Sequence, residues 1–108
     1  MDRFFIREKR SIKRKNIILA ANHTLSCVKA ERIEPKKWEA FELDVVENEM
    51  LGIIQAVEQG KRVPFRKRKM LDSSYLLTDS VNSLTSTDIG RSIQLVQTEL
   101  RKSKWFNF

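Results

Sequence analysis

The 108-residue chain is poor in the residue types that build most chemical sites: one cysteine, one histidine, one tyrosine, three glycines and two prolines. A lone cysteine forms no internal disulfide, which points to a reducing, intracellular compartment. Gly52, Gly60 and Gly90 stand singly, so there is no glycine-rich loop to cradle a phosphate. Two prolines and three glycines are too few for a collagen-like or low-complexity chain. The longest apolar run, Ile17 to Ala21, is far below the ~20 residues of a membrane-spanning helix, so no membrane partner is expected. The opening Met-Asp-Arg-Phe-Phe-Ile-Arg has no extended apolar stretch, and a secretory leader is not expected.

What is present is apolar periodicity and charge. At 41% hydrophobic residues, the chain has enough apolar side chains for one packed domain, which at this size buries roughly two-thirds of the unfolded surface. Residues 4–33 read as helical: Phe5, Ile12 and Leu19 recur every seven, and Ala21, Leu25 and Val28 continue at four and three. One helix and two helices broken near Asn22-His23-Thr24 are both open, and Pro35 stops the segment by Glu34. Residues 36–59 carry a second stripe, Trp38, Phe41, Val45, Met50, Ile53, Ile54 and Val57, with Gly60 as terminator. A basic connector covers 60–72, where Pro64 bars a helix through the centre. A short helix over 73–84 rests on Leu77, Val81 and Leu84. A last one over 87–103 rests on Ile89, Ile93, Val96 and Leu100, with Ser86 or Thr87 as N-cap and Asp88 in the first turn. The expected fold is all-α, a compact single-domain bundle of four to five helices.

Catalysis finds little support in these residues. His23 and Cys27 are four apart and would share a helical face, yet a zinc site or a Cys–His nucleophile needs further partners that the sequence does not mark. The simpler reading packs Cys27 as a small hydrophobe. No metal, cofactor or catalytic residue is assigned.

Charge gives the stronger signal. The net +7 falls in blocks: residues 1–15 net +5, 16–37 net +2, 38–60 net −6, 61–70 net +6, 71–90 net −3 and 91–108 net +3. Arg3, Arg7, Arg10 and Arg14 follow helical spacing, with Lys13 beside them, and would form a ridge able to track phosphates. Lys61, Arg62, Arg66, Lys67, Arg68 and Lys69 form a second patch around Phe65. The competing reading is internal: both basic blocks flank the −6 segment and could clasp it. At the C-terminus, Trp105, Phe106 and Phe108 either fold back on the bundle or anchor a partner.

Residues 85–104 are similar to a helix-turn-helix DNA-binding unit. Ile89 and Gly90 stand for its apolar and small positions, Ile93 and Leu95 for the end of the first helix and the turn, and Leu100 for the second helix. The resemblance implies that Gln97, Thr98, Arg101 and Lys102 face the major groove. The chain departs from the pattern at Gln94, where a turn glycine is usual, and at Val96, where a small polar residue is usual. The same residues also suit one unbroken amphipathic helix.

These observations together suggest a small, non-catalytic, basic accessory protein of the cytoplasm, or of the nucleus in a eukaryote. It would bind a DNA or RNA backbone or work within a nucleic-acid-handling complex. The alternative is a protein–protein adaptor or inhibitor whose basic faces and aromatic tail dock on an acidic protein partner.

Overall fold

A computed structural model describes residues 2–61, 63–64, 71–79, 84–103 and 106–107. The fold is an all-α bundle with four helices among the described residues: α1 (Asp2–Ile33), α2 (Ala40–Glu58), α3 (Asp72–Asp79) and α4 (Asp88–Ser103), with a 3-10 turn at Leu84–Ser86. Two dipeptides, β1 (Val63–Pro64) and β2 (Phe106–Asn107), pair in parallel and tie the start of the connector to the end of the chain.

α1 is a single helix through Asn22-His23-Thr24. Thr24 stays helical because its hydroxyl donates to the Ala20 carbonyl at 3.0 Å, the usual way a threonine satisfies itself inside a helix. Its 32 residues span about 48 Å, which accounts for the longest molecular dimension of 51 Å. α2 starts four residues later than the 36–59 reading, because Glu31 draws the intervening backbone away from helix. Its Oε2 accepts the N–H groups of Lys36, Lys37 and Trp38 at 2.7, 2.9 and 3.1 Å. Glu42 then reaches back to the Glu39 N–H at 2.9 Å, the carboxylate half of a capping box. α2 ends at Gly60, whose φ of 72° lets Gly60 N–H reach Val57 O and Lys61 N–H reach Ala56 O, a Schellman closure.

α1 runs antiparallel to both α2 and α4. Arg32, in its last turn, bridges Asp44 (2.8 Å) and Glu47 (3.2 Å) near the start of α2, while Arg14 lies beside Gly60 at the other end. Thr24 meets Ser92 of α4 within the bundle. α2 and α4 therefore point the same way, and α3 bridges them. Glu49 of α2 accepts the N–H groups of Asp72 and Ser73 at 2.8 and 2.9 Å, and Gln97 of α4 accepts the Leu71 N–H at 3.1 Å.

The core lies on faces that differ in part from the sequence reading. In α4 the four anticipated residues Ile89, Ile93, Val96 and Leu100 are all buried. In α1 the buried line is Ile17, Ala20, Ala21, Thr24 and Val28, whereas Ile12 and Leu19 are 59% and 58% exposed. In α2 it is Leu43, Val46, Met50, Ile53 and Val57, whereas Phe41 is 59% exposed. Small residues fill the α1 side because a helix gripped by two neighbours needs close axial approach.

Candidate nucleic-acid interface

Helical register places the arginine ridge. Counting back from the buried line Val28, Thr24, Ala21 and Ile17 in steps of three and four leads to Arg14, then Arg10, Arg7 and Arg3. The face of α1 that packs on α2 and α4 thus becomes cationic just where α2 ends. Ile12, Lys13, Arg14, Lys15 and Asn16 are all exposed, and Arg14 reaches to within 3.9 Å of the Cβ position at Gly60. From there the helix continues about 18 Å further to its first residue. Arg3, Arg7 and Arg10 belong to that projecting helix, and their side chains lie outside the described residues, as do Arg62, Arg66, Lys67, Arg68 and Lys69.

The same end of the bundle collects the other described cations of the candidate set. Lys61 follows the α2 terminus directly and is exposed. Arg101 and Lys102 occupy the last turn of α4, where the helix dipole favours positive charge, and Lys102 Nζ lies 3.9 Å from Glu99. The β1–β2 pairing holds Val63 against Phe106, and Leu71 is anchored to Gln97. Both ends of the connector therefore attach here.

The acids of α2 sit mostly at the far end and are engaged there. At that end Asp44 and Glu47 hold Arg32 and Glu42 closes the first turn of α2, while Glu49, midway along α2, caps α3. Burial pushes the Glu49 carboxyl above its ordinary range and the charge of Asp72 adds to this, against hydrogen bonds from Ser73 and Asp72 that pull it down. Only Glu58 falls in the last turn of α2.

The helix-turn-helix reading does not survive. Residues 88–103 form one uninterrupted helix with no turn at Gln94–Val96. Gln97 does not face outward for base readout: its Oε1 accepts the Leu71 N–H and the Ser74 hydroxyl at 3.1 and 2.6 Å. Thr98 donates to the Gln94 carbonyl of its own helix. Gly90 is small for another reason. A Cβ there would overlap the Leu84 carbonyl, because the 3-10 turn crosses directly over the first turn of α4. Among the tail aromatics, Phe106 contributes backbone to β2, and Trp105 and Phe108 lie outside the described residues.

A cleft of about 510 Å³ opens at the opposite end, lined by Cys27, Glu31, Lys37, Trp38, Thr87 and Asp88 among others. Cys27 Sγ is 3.8 Å from His23 Nε2, but burial, reinforced by Asp88, pushes the thiol up, away from thiolate. That is the reverse of what activates a nucleophilic cysteine. Among the described residues, no group of three or more His, Cys, Asp or Glu could hold a metal ion, and no helix is long and apolar enough to cross a membrane.

The convergence of Lys13–Lys15 with Lys61 and the α4 terminus was not legible in sequence, since it depends on how the helices pair. Stepping back from Ala21 and Ile17 to Arg14 would have shown that the ridge continues the core face. No protein-family model matches the chain, and neither a curated protein nor a solved structure matches it.

Proposed function

We propose that the protein is a non-catalytic accessory factor that binds the phosphate backbone of a nucleic acid at the basic end of its bundle, within a reducing cell compartment. The observation that carries this reading is the change of the α1 core face from apolar to cationic at the end of α2. It puts a projecting basic helix beside Lys61 and the cationic last turn of α4, with most of the α2 acids engaged elsewhere. A polyanion laid across this corner would displace counterions from several cations at once. The lone, poorly ionised Cys27 and its single histidine neighbour support a role without chemistry on the substrate.

The test is binding of duplex DNA, duplex RNA and single strands over a salt series. With six or more phosphate contacts, affinity should fall at least ~1,000-fold between about 50 and 200 mM salt. Lys13→Glu with Lys15→Glu should weaken binding further, since both residues are exposed. Binding that is absent, flat with salt or indifferent to the double substitution would defeat the reading. Tighter capture of an acidic protein than of any nucleic acid would favour an adaptor instead.

A further inference from the structure

α1 outruns both helices that hold it. Thr24 of α1 stands opposite Ser92 of α4. Counting on equally along the two antiparallel helices, Ser103, the last residue of α4, comes level with Lys13. α2 closes at Gly60, beside Arg14. Two separate contacts thus place the ends of both neighbours at one point of α1, while its own backbone stays helical back to Asp2. Residues 2–13 form a helical arm about 18 Å long and, with side chains, about 10–12 Å across. Helical register sorts its charges. At about 100° per residue, Arg3, Arg7, Arg10 and Arg14 fall within an arc of about 60°. Lys9 and Lys13 flank that arc on one side and Lys15 on the other, with positions 5 and 12, both apolar, on the reverse.

We propose that this arm lies in the major groove of duplex DNA, with the arginine row toward the base edges and the flanking lysines toward the phosphates of the two walls. The inference rests on the phosphate-binding reading above and adds the groove to it. Shape selects the groove. The major groove of B-DNA, about 12 Å wide, admits one α-helix, whereas the minor groove is about 6 Å wide. The major groove of duplex RNA is too deep and narrow to be read this way. Charge selects the same occupant. Residues 1–15 net +5, and like charges four apart weaken a helix, so a groove walled on both sides by phosphates relieves repulsion that the arm carries alone. Its length covers about five base pairs, and arginine pairs with O6 and N7 of guanine on the groove floor. At the root of the arm stand the exposed Lys61 and the last turn of α4 with Arg101 and Lys102, where the phosphates of the groove rim would pass.

Binding of one sequence as duplex DNA and as duplex RNA, by the full chain at the same salt, tests the groove separately from the phosphates. The DNA should bind at least about tenfold tighter. Ser11→Pro keeps every cation but breaks the helix between the arm and the bundle, so it should bring DNA affinity down to that for RNA while the unfolding midpoint of the bundle stays in place. Dimethyl sulfate reads the groove directly. On a short duplex at saturating protein, guanine N7, which lies in the major groove, should be protected, and adenine N3, which lies in the minor groove, should stay reactive. Equal affinity for the two duplexes, a DNA preference that survives Ser11→Pro, or protection of adenine N3 without guanine N7 would overturn the groove assignment and leave the phosphate reading standing. Binding to neither duplex would overturn both.

Discussion

Thr24 and Ser92, 68 positions apart in the chain, share a hydroxyl–hydroxyl hydrogen bond inside the contact between α1 and α4. Both residues are buried, and Thr24 also donates to Ala20 O. In water either hydroxyl would find solvent; between the helices Thr24 donates to Ala20 and accepts from Ser92, so the Ser92 hydroxyl depends on Thr24. The pair therefore fixes how the two helices register along their axes, a role that apolar contacts alone perform less specifically.

The first prediction follows from that dependence. Thr24→Val strands the Ser92 hydroxyl and should cost about 1–3 kcal/mol. Ser92→Ala should cost less, because Thr24 keeps its bond to Ala20. The double substitution should be milder than the sum of the two by roughly 1 kcal/mol. A double-mutant cycle by urea unfolding measures the coupling, and strictly additive values would deny it.

Thr87 gathers three elements at one oxygen. Its Oγ1 accepts the Trp38 indole N–H at 3.2 Å and the Gly90 N–H at 3.0 Å, and donates to Leu84 O. Thr87→Ala should remove the N-cap of α4 and leave a buried indole N–H unpaired, for a loss of about 2 kcal/mol. Thr87→Ser should retain most of the stability. Chemical unfolding gives the energies; equal losses for the two substitutions would show that the hydroxyl contributes little.

Glycine to alanine should act with opposite signs at two helical positions. Gly52 has open space where a Cβ would go, so Gly52→Ala should stabilise by about 1 kcal/mol through helix propensity. At Gly90 the new Cβ would press on the Leu84 and Thr85 backbone, and Gly90→Ala should destabilise by about 1–3 kcal/mol despite the same propensity gain. Melting temperatures of the two variants should move apart.

How much of this was legible depended on side-chain size. α4 could be read directly, because its large apolar residues define one face and Thr87 with Asp88 mark its start. α1 misled because its large exposed residues, Ile12 and Leu19, form a row as regular as the buried one. The true core side is built from Ala20, Ala21 and Thr24, which only close helix approach makes apolar enough to bury. The delayed start of α2 rests on a carboxylate five to seven residues upstream, a loop contact that periodicity does not register. The cations of the candidate interface were visible one by one. Their meeting was not, because Arg14 and Gly60 become neighbours only through antiparallel pairing.

The two capping carboxylates should leave opposite marks on the pH dependence of stability. At Glu31, burial is the largest single influence and pushes its carboxyl up, but the N–H groups of Lys36, Lys37 and Trp38, with the charge of Lys36, together outweigh it and hold it below the usual range. A lowered folded value contributes stability above the unfolded value of about 4.5, lost as pH falls through the folded value. At Glu49 burial wins and the folded value is raised. Its contribution is complete below the unfolded value and is lost as pH rises through the folded one. The stability lost in Glu31→Gln should therefore grow with pH across the acid range, while that lost in Glu49→Gln should shrink. Urea midpoints from about pH 3 to about pH 7 separate the two slopes, and slopes of the same sign would mean that one of the two carboxylates sits in a different environment.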